Sequence, residues 1–203
     1  MFSRRSIALA AAAALLAASA VAAPSALPDD MSLGNPKAKV QVIEYASLSC
    51  PHCAHFNETI FAPFKTKWVD TGKVRYTLKE MLTPPQQVAA AGFLMARCAG
   101  PAKYFKVVDE VFRSQPRWEN GKIKAVFLEI GAANGVTEAQ FNACLTDQKA
   151  QDALNARAQR ASQVDGVNST PTLFINGKQI DPLPQSPAEM DAAIAAALKT
   201  GGR

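Results

Sequence analysis

The residues of this 203-residue chain with the clearest capacity for chemistry lie in ten positions, SLSCPHCAHF, residues 47–56. Cys50 and Cys53 are separated by a proline and His52, and His55 follows, so both histidines of the protein fall in this stretch. Thiols and imidazoles at this spacing occur in four kinds of site: a metal clip, a haem attachment site, a structural disulfide or a redox centre.

The spacing argues against two of these four kinds of site. Haem attachment needs a histidine directly after the second cysteine, and Ala54 stands there. Cys50, Cys53 and His55 would supply three metal ligands, whereas a closed structural zinc site needs four, and the sequence has no second cluster. We therefore expect no metal. A structural disulfide stays open, since two-residue spacers also occur in structural bridges.

The segments around the cysteines favour a redox centre. Val40–Ala46, VQVIEYA, has the composition of a buried strand. A helix is predicted from about Cys50 to Val69, and Pro51 is tolerated in its first turn. The unpaired N–H groups of that turn would stabilise a Cys50 thiolate, and His52 adds a group that can carry positive charge. A stabilised thiolate favours the reduced form, so the corresponding disulfide is an oxidant.

The start of the chain has the pattern of a secretory signal peptide, predicted over residues 1–23. Arg4-Arg5 precedes the uncharged run Ile7–Leu16, and small residues follow, with cleavage expected near Ala22 or Ala23. Cleavage removes two arginines and no acids, so the net charge falls from +5 to +3. Because that charge is mild and no basic run carries interleaved aromatics, we expect no nucleic-acid partner.

Beyond the leader, the pattern predicts an α/β core interrupted by helices. Residues 24–36 are rich in proline and small residues and are interpreted as an irregular tail. The core is predicted in two parts, 37–85 and 164–203. A second strand at Lys73–Met81 follows the helix, so the two strands are expected to be parallel. Residues 86–163 show apolar positions at helical spacing and no convincing strand.

Three local signals are specific. Pro63 lies inside the predicted helix, where it should kink or break it. Asn176-Gly177 between apolar flanks, within the strand-like stretch TPTLFINGKQI, predicts a tight hairpin turn with positive φ at both residues. Ser186 is expected to cap the last helix, with Pro187 at its first position and Glu189 completing a capping box.

Two segments resemble the DsbA family of bacterial thiol:disulfide oxidoreductases. VIEYASLSCPHCAHF is similar to that family's active-site segment, in which a glutamate, aromatic residues, a serine and C-P-H-C occur in this order. GVNSTPTLFINGKQI is similar to its second signature, a residue before a cis-proline followed by a strand and an N-G-K turn. The resemblance covers nearly all of residues 37–198. It implies an α/β, thioredoxin-like fold with an inserted all-helical domain.

The resemblance implies roles for the residues of the first segment. Cys50 is expected to be the solvent-facing nucleophilic sulfur that exchanges with substrate thiols, and Cys53 the buried resolving partner. Pro51 and His52 are expected to set the redox poise. His55 is interpreted as an exposed helix residue.

The resemblance also assigns three more distant residues. Pro171 is expected to be the cis-proline facing the cysteine pair, with Thr170 presenting backbone groups to an extended substrate peptide. Glu44 matches the family's buried acid and is a candidate proton shuttle to Cys53. A solvent-facing Glu44, or a Glu44 paired with Lys79, is the structural alternative.

The sequence departs from the best-known family pattern in two ways. Thr170 stands where valine is usual, as in isomerase-type relatives, so the distinction between oxidase and isomerase stays open. A second cysteine pair, Cys98 and Cys144, falls in the helical insertion. In an oxidising compartment we expect a structural disulfide there, with two buried thiols as the alternative.

These observations together predict a periplasmic dithiol oxidase without a cofactor. Its substrates would be cysteine-containing exported proteins, and a DsbB-like, quinone-linked membrane oxidase would reoxidise it, as the resemblance implies. Only residues 24–36 are available as an oligomerising stalk, so a monomer is expected. A disulfide isomerase or reductase of the same fold, and a non-catalytic copper-binding or chaperone module, are the alternatives.

Overall fold

The structure is a computed structural model that describes residues 23–118 and 121–201. The predicted signal peptide, residues 1–23, lies outside the described residues except for Ala23. Among the helices of the described ranges, none combines the length and apolar character needed to cross a bilayer.

A five-stranded mixed sheet forms the centre of the fold, in the order β1-β3-β2-β4-β5. β2 runs parallel to β3, as predicted, while β1 pairs antiparallel with β3, β4 with β2, and β5 with β4. The strands are β1 Met31–Gly34, β2 Val40–Ala46, β3 Val74–Glu80, β4 Thr172–Ile175 and β5 Lys178–Ile180. β2 has the predicted bounds and lies inside the sheet, which explains its nearly continuous run of buried residues.

The helix that joins β2 to β3 alternates between α- and π-helical turns. It consists of α1 Pro51–Phe56, the π-helical segment Asn57–Phe61, α2 Ala62–Phe64 and a second π-helical segment Lys65–Val69. Of the predicted kink or break at Pro63, the break is wrong, because the helix continues through the proline. The wider π-helical turns on either side of α2 accommodate a residue that cannot donate a backbone hydrogen bond.

The helices between β3 and β4 run from Gln86 to Gln163, within the segment predicted as the helical insertion. Its helices are α3 Gln86–Cys98, α4 Tyr104–Ser114, α5 Ile123–Ala133, α6 Glu138–Thr146 and α7 Gln148–Gln163, with a 3₁₀ turn at Gln115–Arg117 after α4. α3 approaches the end of β2 closely, because a Cβ atom at Gly92 would lie 2.8 Å from Leu48 Cδ1. The insertion therefore packs directly against the loop that carries the cysteines.

The interpretation of residues 24–36 as an irregular tail is wrong for Met31–Gly34. These four residues form edge strand β1, in register with the segment Arg75–Leu78 of β3. Their sequence, MSLG, is short and ends in glycine, so it carries little strand signal of its own. These residues become a strand because they pair with β3, which is a tertiary contact.

Two consecutive aspartates before β1 attach this segment to buried charges. Asp30 lies 3.2 Å from the buried Lys79 Nζ. Asp29 lies 3.4 Å from Arg157, which in turn binds the buried Glu80 at 2.6 Å. Each buried charge on β3 is thus compensated by an opposite charge, which burial requires.

The C-terminal hairpin and the final helix follow the predicted local signals, with one difference. Asn176 and Gly177 have φ of 49° and 78°, as the turn requires. α8 runs Pro187–Lys199, and the Ser186 side chain accepts the N–H of Glu189. The Glu189 carboxylate accepts the N–H of Gln185 rather than that of Ser186, so the predicted capping box is only half formed.

The hydrophobic core occupies both faces of the sheet unequally. A large cluster joins one face to the connecting helix, the insertion and α8, and a smaller cluster covers the other face. The smaller cluster consists of Ile43, Tyr45, Met81, Ala161, Val167 and Phe174. Because strand residues alternate between faces, Glu44 points into the large cluster, the same side as the cysteines.

Candidate active site

The cysteine pair lies where β2 ends and the connecting helix begins. Cys50 is the N-cap residue and Pro51 occupies the first helical position. Cys53 lies fully buried one turn further on, whereas Cys50 is 8% exposed. Both are free thiols in this structure. The order of accessibility agrees with the predicted roles, although Cys50 faces solvent less than expected because another loop covers it.

That covering loop carries the distant Thr170-Pro171 pair. The peptide bond between these residues is cis, as expected. Cys50 Sγ lies 3.4 Å from the Thr170 carbonyl oxygen and as a thiol donates to it. Chain segments 120 positions apart therefore meet at the nucleophilic sulfur, as the two sequence signatures indicate.

The loop before Cys50 is fixed by the segment after β3. Ser49 Oγ donates to the Thr83 carbonyl oxygen at 2.8 Å. The Thr83 N–H donates to Ser47 Oγ at 3.1 Å. The two serines of the S-L-S-C sequence thus bind Thr83 as well as each other, at 3.2 Å, and no sequence pattern indicates that Thr83 is their partner.

A third contact reaches this loop from the helical insertion. The Gln115 carboxamide donates to the Leu48 carbonyl oxygen at 2.9 Å and to the Cys50 carbonyl oxygen at 3.2 Å. Sequence reasoning missed this residue, because a lone glutamine at the end of a helix has no distinguishing pattern.

The protein shifts the pKa values of the two thiols in opposite directions. The pKa of Cys50 is lowered to about 5, first of all by a hydrogen bond from Cys53. Further hydrogen bonds come from the Thr170 side chain and from the backbone N–H groups of Cys53 and His52. Together they outweigh the effect of desolvation, which raises this pKa. Burial, the hydrogen bond with Cys50 and the negative charge of Glu44 raise the pKa of Cys53 well above its usual range. One sulfur is therefore a thiolate at neutral pH, and the other holds its proton.

Glu44 is buried beneath the cysteines and pairs with a tyrosine. The Tyr76 hydroxyl donates to its carboxylate at 2.6 Å. Burial raises the pKa of Glu44 to about 7, against the lowering effect of this hydrogen bond. The alternative partner, Lys79, instead lies near Asp30 and Asp165 at 3.2 and 3.6 Å. A buried acid that titrates near neutrality can exchange protons at neutral pH.

Tyr76 is a second residue of the candidate site that sequence reasoning missed. It lies on β3 opposite Val42 of β2, and its ring packs against Phe61 at a centroid distance of 4.7 Å. Its hydroxyl is thereby directed at Glu44. The parallel pairing of the two strands was the signal that could have placed them together.

Both histidines lie on the exposed side of the helix start. His52 and His55 are exposed and, with Thr170, Pro171 and Leu183, line part of a groove of about 230 Å³ beside Cys50. Within residues 23–118 and 121–201, no three histidine, cysteine or acidic side chains are grouped to hold a metal ion. The groove is connected to the Cys50 sulfur through Thr170, which lines the groove and contacts that sulfur.

The second cysteine pair is brought together away from this site. Cys98 at the end of α3 and Cys144 in α6 form a disulfide, with a Cα–Cα distance of 6.4 Å. Cys98 is exposed and Cys144 half-buried, so the alternative of two buried thiols does not apply.

Comparison with known proteins agrees with this geometry. A sequence profile described as thioredoxin matches residues 26–196. A putative protein-disulfide oxidoreductase of Rickettsia bellii is 34% identical over 155 residues, which are 75% of this chain and 59% of that protein. The chain thus spans less than two thirds of this relative. The thiol:disulfide interchange protein DsbA of Salmonella typhimurium is 29% identical over 193 residues, 92% of this chain and 91% of that protein.

Among solved structures, the crystal structure of Wolbachia pipientis alpha-DsbA1 superposes with a TM-score of 0.76 at 26% identity, covering 86% of this chain and 94% of that one. The chain belongs to the thioredoxin family, as a DsbA-type member in which a helical insertion interrupts the thioredoxin-like core. The predicted fold class and family are confirmed.

Proposed function

We propose that this protein is a thiol–disulfide oxidoreductase that acts as a dithiol oxidase, passing the Cys50–Cys53 disulfide to cysteine-containing exported proteins. The observation that carries the proposal is the asymmetry of the pair. Cys50 lies at the helix start among donors that lower its pKa to about 5, and Cys53 is fully buried with a raised pKa. A stabilised Cys50 thiolate favours the dithiol form, so the disulfide is readily given away.

The reaction proceeds by two thiol–disulfide exchanges. A substrate thiolate attacks Cys50 Sγ, the Cys50–Cys53 bond breaks, and a mixed disulfide to Cys50 forms. A second substrate thiol loses its proton and attacks the substrate sulfur of that mixed disulfide, and Cys50 leaves as a thiolate. The substrate loses two electrons and two protons overall; one proton reaches Cys53 and the other is released to solvent, because the reduced enzyme keeps Cys50 as a thiolate.

Glu44 handles the proton that the buried sulfur requires in this scheme. Cys53 departs as a thiolate in the first exchange, and its raised pKa makes an unprotonated Cys53 unfavourable. A Glu44 carboxyl with a pKa of about 7 supplies that proton in the forward direction and removes it when the disulfide is formed again. The Tyr76 hydroxyl holds the carboxylate in place.

Thr170 and Pro171 form the side of the site that meets the substrate. Thr170 already contacts Cys50 Sγ through its carbonyl oxygen, so an extended peptide bearing the attacking cysteine would lie along this segment. His52 and Pro51, between the two cysteines, influence the redox poise. The groove beside His55 accommodates the residues that flank the substrate cysteine.

The predicted leader and the relatives support a periplasmic setting for this protein. Export to the periplasm places the protein in an oxidising compartment, where a DsbB-like, quinone-linked membrane oxidase would return Cys50–Cys53 to the disulfide. The protein would act as a monomer and needs no cofactor of its own. The Salmonella relative, over 92% of this chain, is named a thiol:disulfide interchange protein.

The test is stoichiometric disulfide transfer. Oxidised protein is mixed with a reduced, unfolded ribonuclease, and recovery of ribonuclease activity and loss of the enzyme disulfide are followed together. Cys50→Ser and Cys53→Ser each lack the transferable disulfide and should abolish transfer, and Cys53→Ser should accumulate a mixed disulfide at Cys50 when it is mixed instead with a substrate that already contains a disulfide. Transfer by Cys50→Ser at the wild-type rate would refute the proposal. Ala substitution of the exposed Cys98 and its partner Cys144 serves as the control, since that pair lies elsewhere.

Disulfide isomerisation is the second candidate, favoured by one residue. Thr170 occupies the position before the cis-proline, where the sequence departs from the oxidase-like valine. Rescue of scrambled ribonuclease by the reduced protein, together with a thioredoxin-like reduction potential, would favour this function over oxidation.

A further inference from the structure

The helical insertion makes one polar contact with the loop of the redox centre that neither the sequence signatures nor the relatives point to. Gln115 lies in the 3₁₀ turn after α4 and is half-buried. Its carboxamide nitrogen donates to the carbonyl oxygens of Leu48 and Cys50, at 2.9 and 3.2 Å. A single side chain thereby joins the peptide groups that precede Ser49 and follow Cys50.

The two acceptors occupy positions that determine where the Cys50 sulfur lies. The Cys50 carbonyl oxygen also accepts the N–H of Ala54 and so closes the first helical turn. The Leu48 carbonyl belongs to the loop that leads into that turn. On the opposite side the loop is bound to Thr83. Gln115 thus completes a two-sided restraint of the chain entering the helix.

We propose that Gln115 is a positioning residue of the redox centre, which holds the backbone at Cys50 so that its sulfur stays aligned with the hydrogen-bond donors of the first helical turn in the reduced protein. This inference rests on the proposed function. Through this residue the helical insertion contributes directly to the redox centre.

The restraint matters more in the reduced protein than in the oxidised one. In the disulfide form, the bond to Cys53 fixes the Cys50 sulfur, because Cys53 is buried inside the helix. In the dithiol form, only the backbone and hydrogen bonds hold that sulfur. Loss of the Gln115 bonds therefore destabilises the reduced thiolate selectively, and the disulfide becomes a weaker oxidant.

The experiment compares Gln115→Met with a matched control, Arg117→Met. Methionine preserves the length of the glutamine side chain and removes both donors. Arg117 is in the same turn, but its guanidinium pairs with Glu129, away from the cysteines. Two quantities are measured on folded, full-length protein: the pH midpoint of the Cys50 thiolate absorbance, and the equilibrium constant for reduction by glutathione.

For Gln115→Met we expect a higher thiolate midpoint and an equilibrium constant shifted roughly 2- to 10-fold towards the disulfide form, the range for a lost hydrogen bond. A tenfold shift corresponds to about 30 mV. Arg117→Met should match the wild type in both measurements. A change of global stability alone would move neither quantity, since both are read within the folded state.

Gln115→Glu provides an independent variant. An ionised carboxylate cannot donate to the two carbonyl oxygens and adds negative charge near the thiolate, so the midpoint should rise further than in Gln115→Met. Midpoints and equilibrium constants equal to wild type in both variants would overturn the role of Gln115. Failure of the proposed oxidase function is distinguishable, because it would appear in the wild-type protein as a reducing potential and absent disulfide transfer.

Discussion

Replacement of Glu44 by glutamine should change how the stability of the reduced protein depends on pH. The folded protein raises the pKa of Glu44 from 4.5 to about 7. Above pH 4.5 the unfolded chain therefore releases this proton while the folded chain keeps it, so stability falls as pH rises towards 7 and is level above that. For this fully buried group, a pKa difference of this size changes the free energy of unfolding by about 3 kcal/mol.

Glutamine removes that penalty and keeps an oxygen for the Tyr76 hydroxyl. The free energy of unfolding of Glu44→Gln minus that of the wild type should therefore increase by about 3 kcal/mol between pH 4.5 and a pH above 7. Urea unfolding of both proteins under reducing conditions, at matched pH values, measures this difference. Glu58→Gln, at an exposed position on the connecting helix, controls for loss of a carboxylate as such.

A constant difference between Glu44→Gln and wild type across this range would refute the assignment of the raised pKa to Glu44. A difference that shrinks as pH rises would show a carboxylate stabilised by its surroundings, the opposite of the burial penalty. The subtraction removes the titration of Cys50, which both proteins share and whose lowered pKa gives the opposite pH dependence.

Three other substitutions test the remaining interactions. Tyr76→Phe removes a hydrogen bond to a buried carboxylate and should raise that carboxyl group's pKa by roughly 1–2 units, visible in the pH profile of disulfide transfer. Cys53→Ala removes the largest stabilising contact of the Cys50 thiolate, so its titration midpoint should rise from about 5 towards 9 in thiolate absorbance. Replacement of Cys98 and Cys144 by alanine opens a bridge across 46 positions and should lower the free energy of unfolding by ~4 kcal/mol under oxidising conditions.

Each of these substitutions has its own control. Tyr104→Phe removes an equivalent hydroxyl, 2.8 Å from Glu80, and should leave the pH profile of transfer unchanged; an equal effect of both tyrosine variants would contradict the role of Tyr76. An unchanged thiolate midpoint in Cys53→Ala would contradict the hydrogen bond to Cys50. Under reducing denaturant conditions the second cysteine pair should contribute nothing, and the variant should then match the reduced wild type.

Much of this architecture could be predicted because the decisive residues have local signatures. The strand Val40–Ala46 is buried inside the sheet and so carries an apolar, β-branched sequence. The turn at Asn176-Gly177 needs positive φ twice, and few residue pairs permit it. The cysteines at the start of the helix likewise carry a short motif whose spacing restricts its chemistry.

The parts that were missed depend on contacts between distant segments. Strand Met31–Gly34 takes its order from pairing with β3, and its own residues do not indicate it. Tyr76 and Gln115 have ordinary sequence surroundings, and their importance comes from a carboxylate and two carbonyl oxygens placed opposite them by the fold. Pro63 does not interrupt the helix, because π-helical turns on either side of it accommodate the proline. No local sequence pattern predicts these turns.

The paired charges on β3 also have a consequence for the order in which the protein assembles. Lys79 and Glu80 are adjacent and point to opposite faces of the sheet. Their partners include Asp30 for the lysine, and for the glutamate Arg157, which also binds Asp29. The aspartates leave the ribosome early, yet their partners on β3 and in α7 follow about 50 to 130 positions later. The segment made first therefore has its full set of charged partners only after α7 has been made.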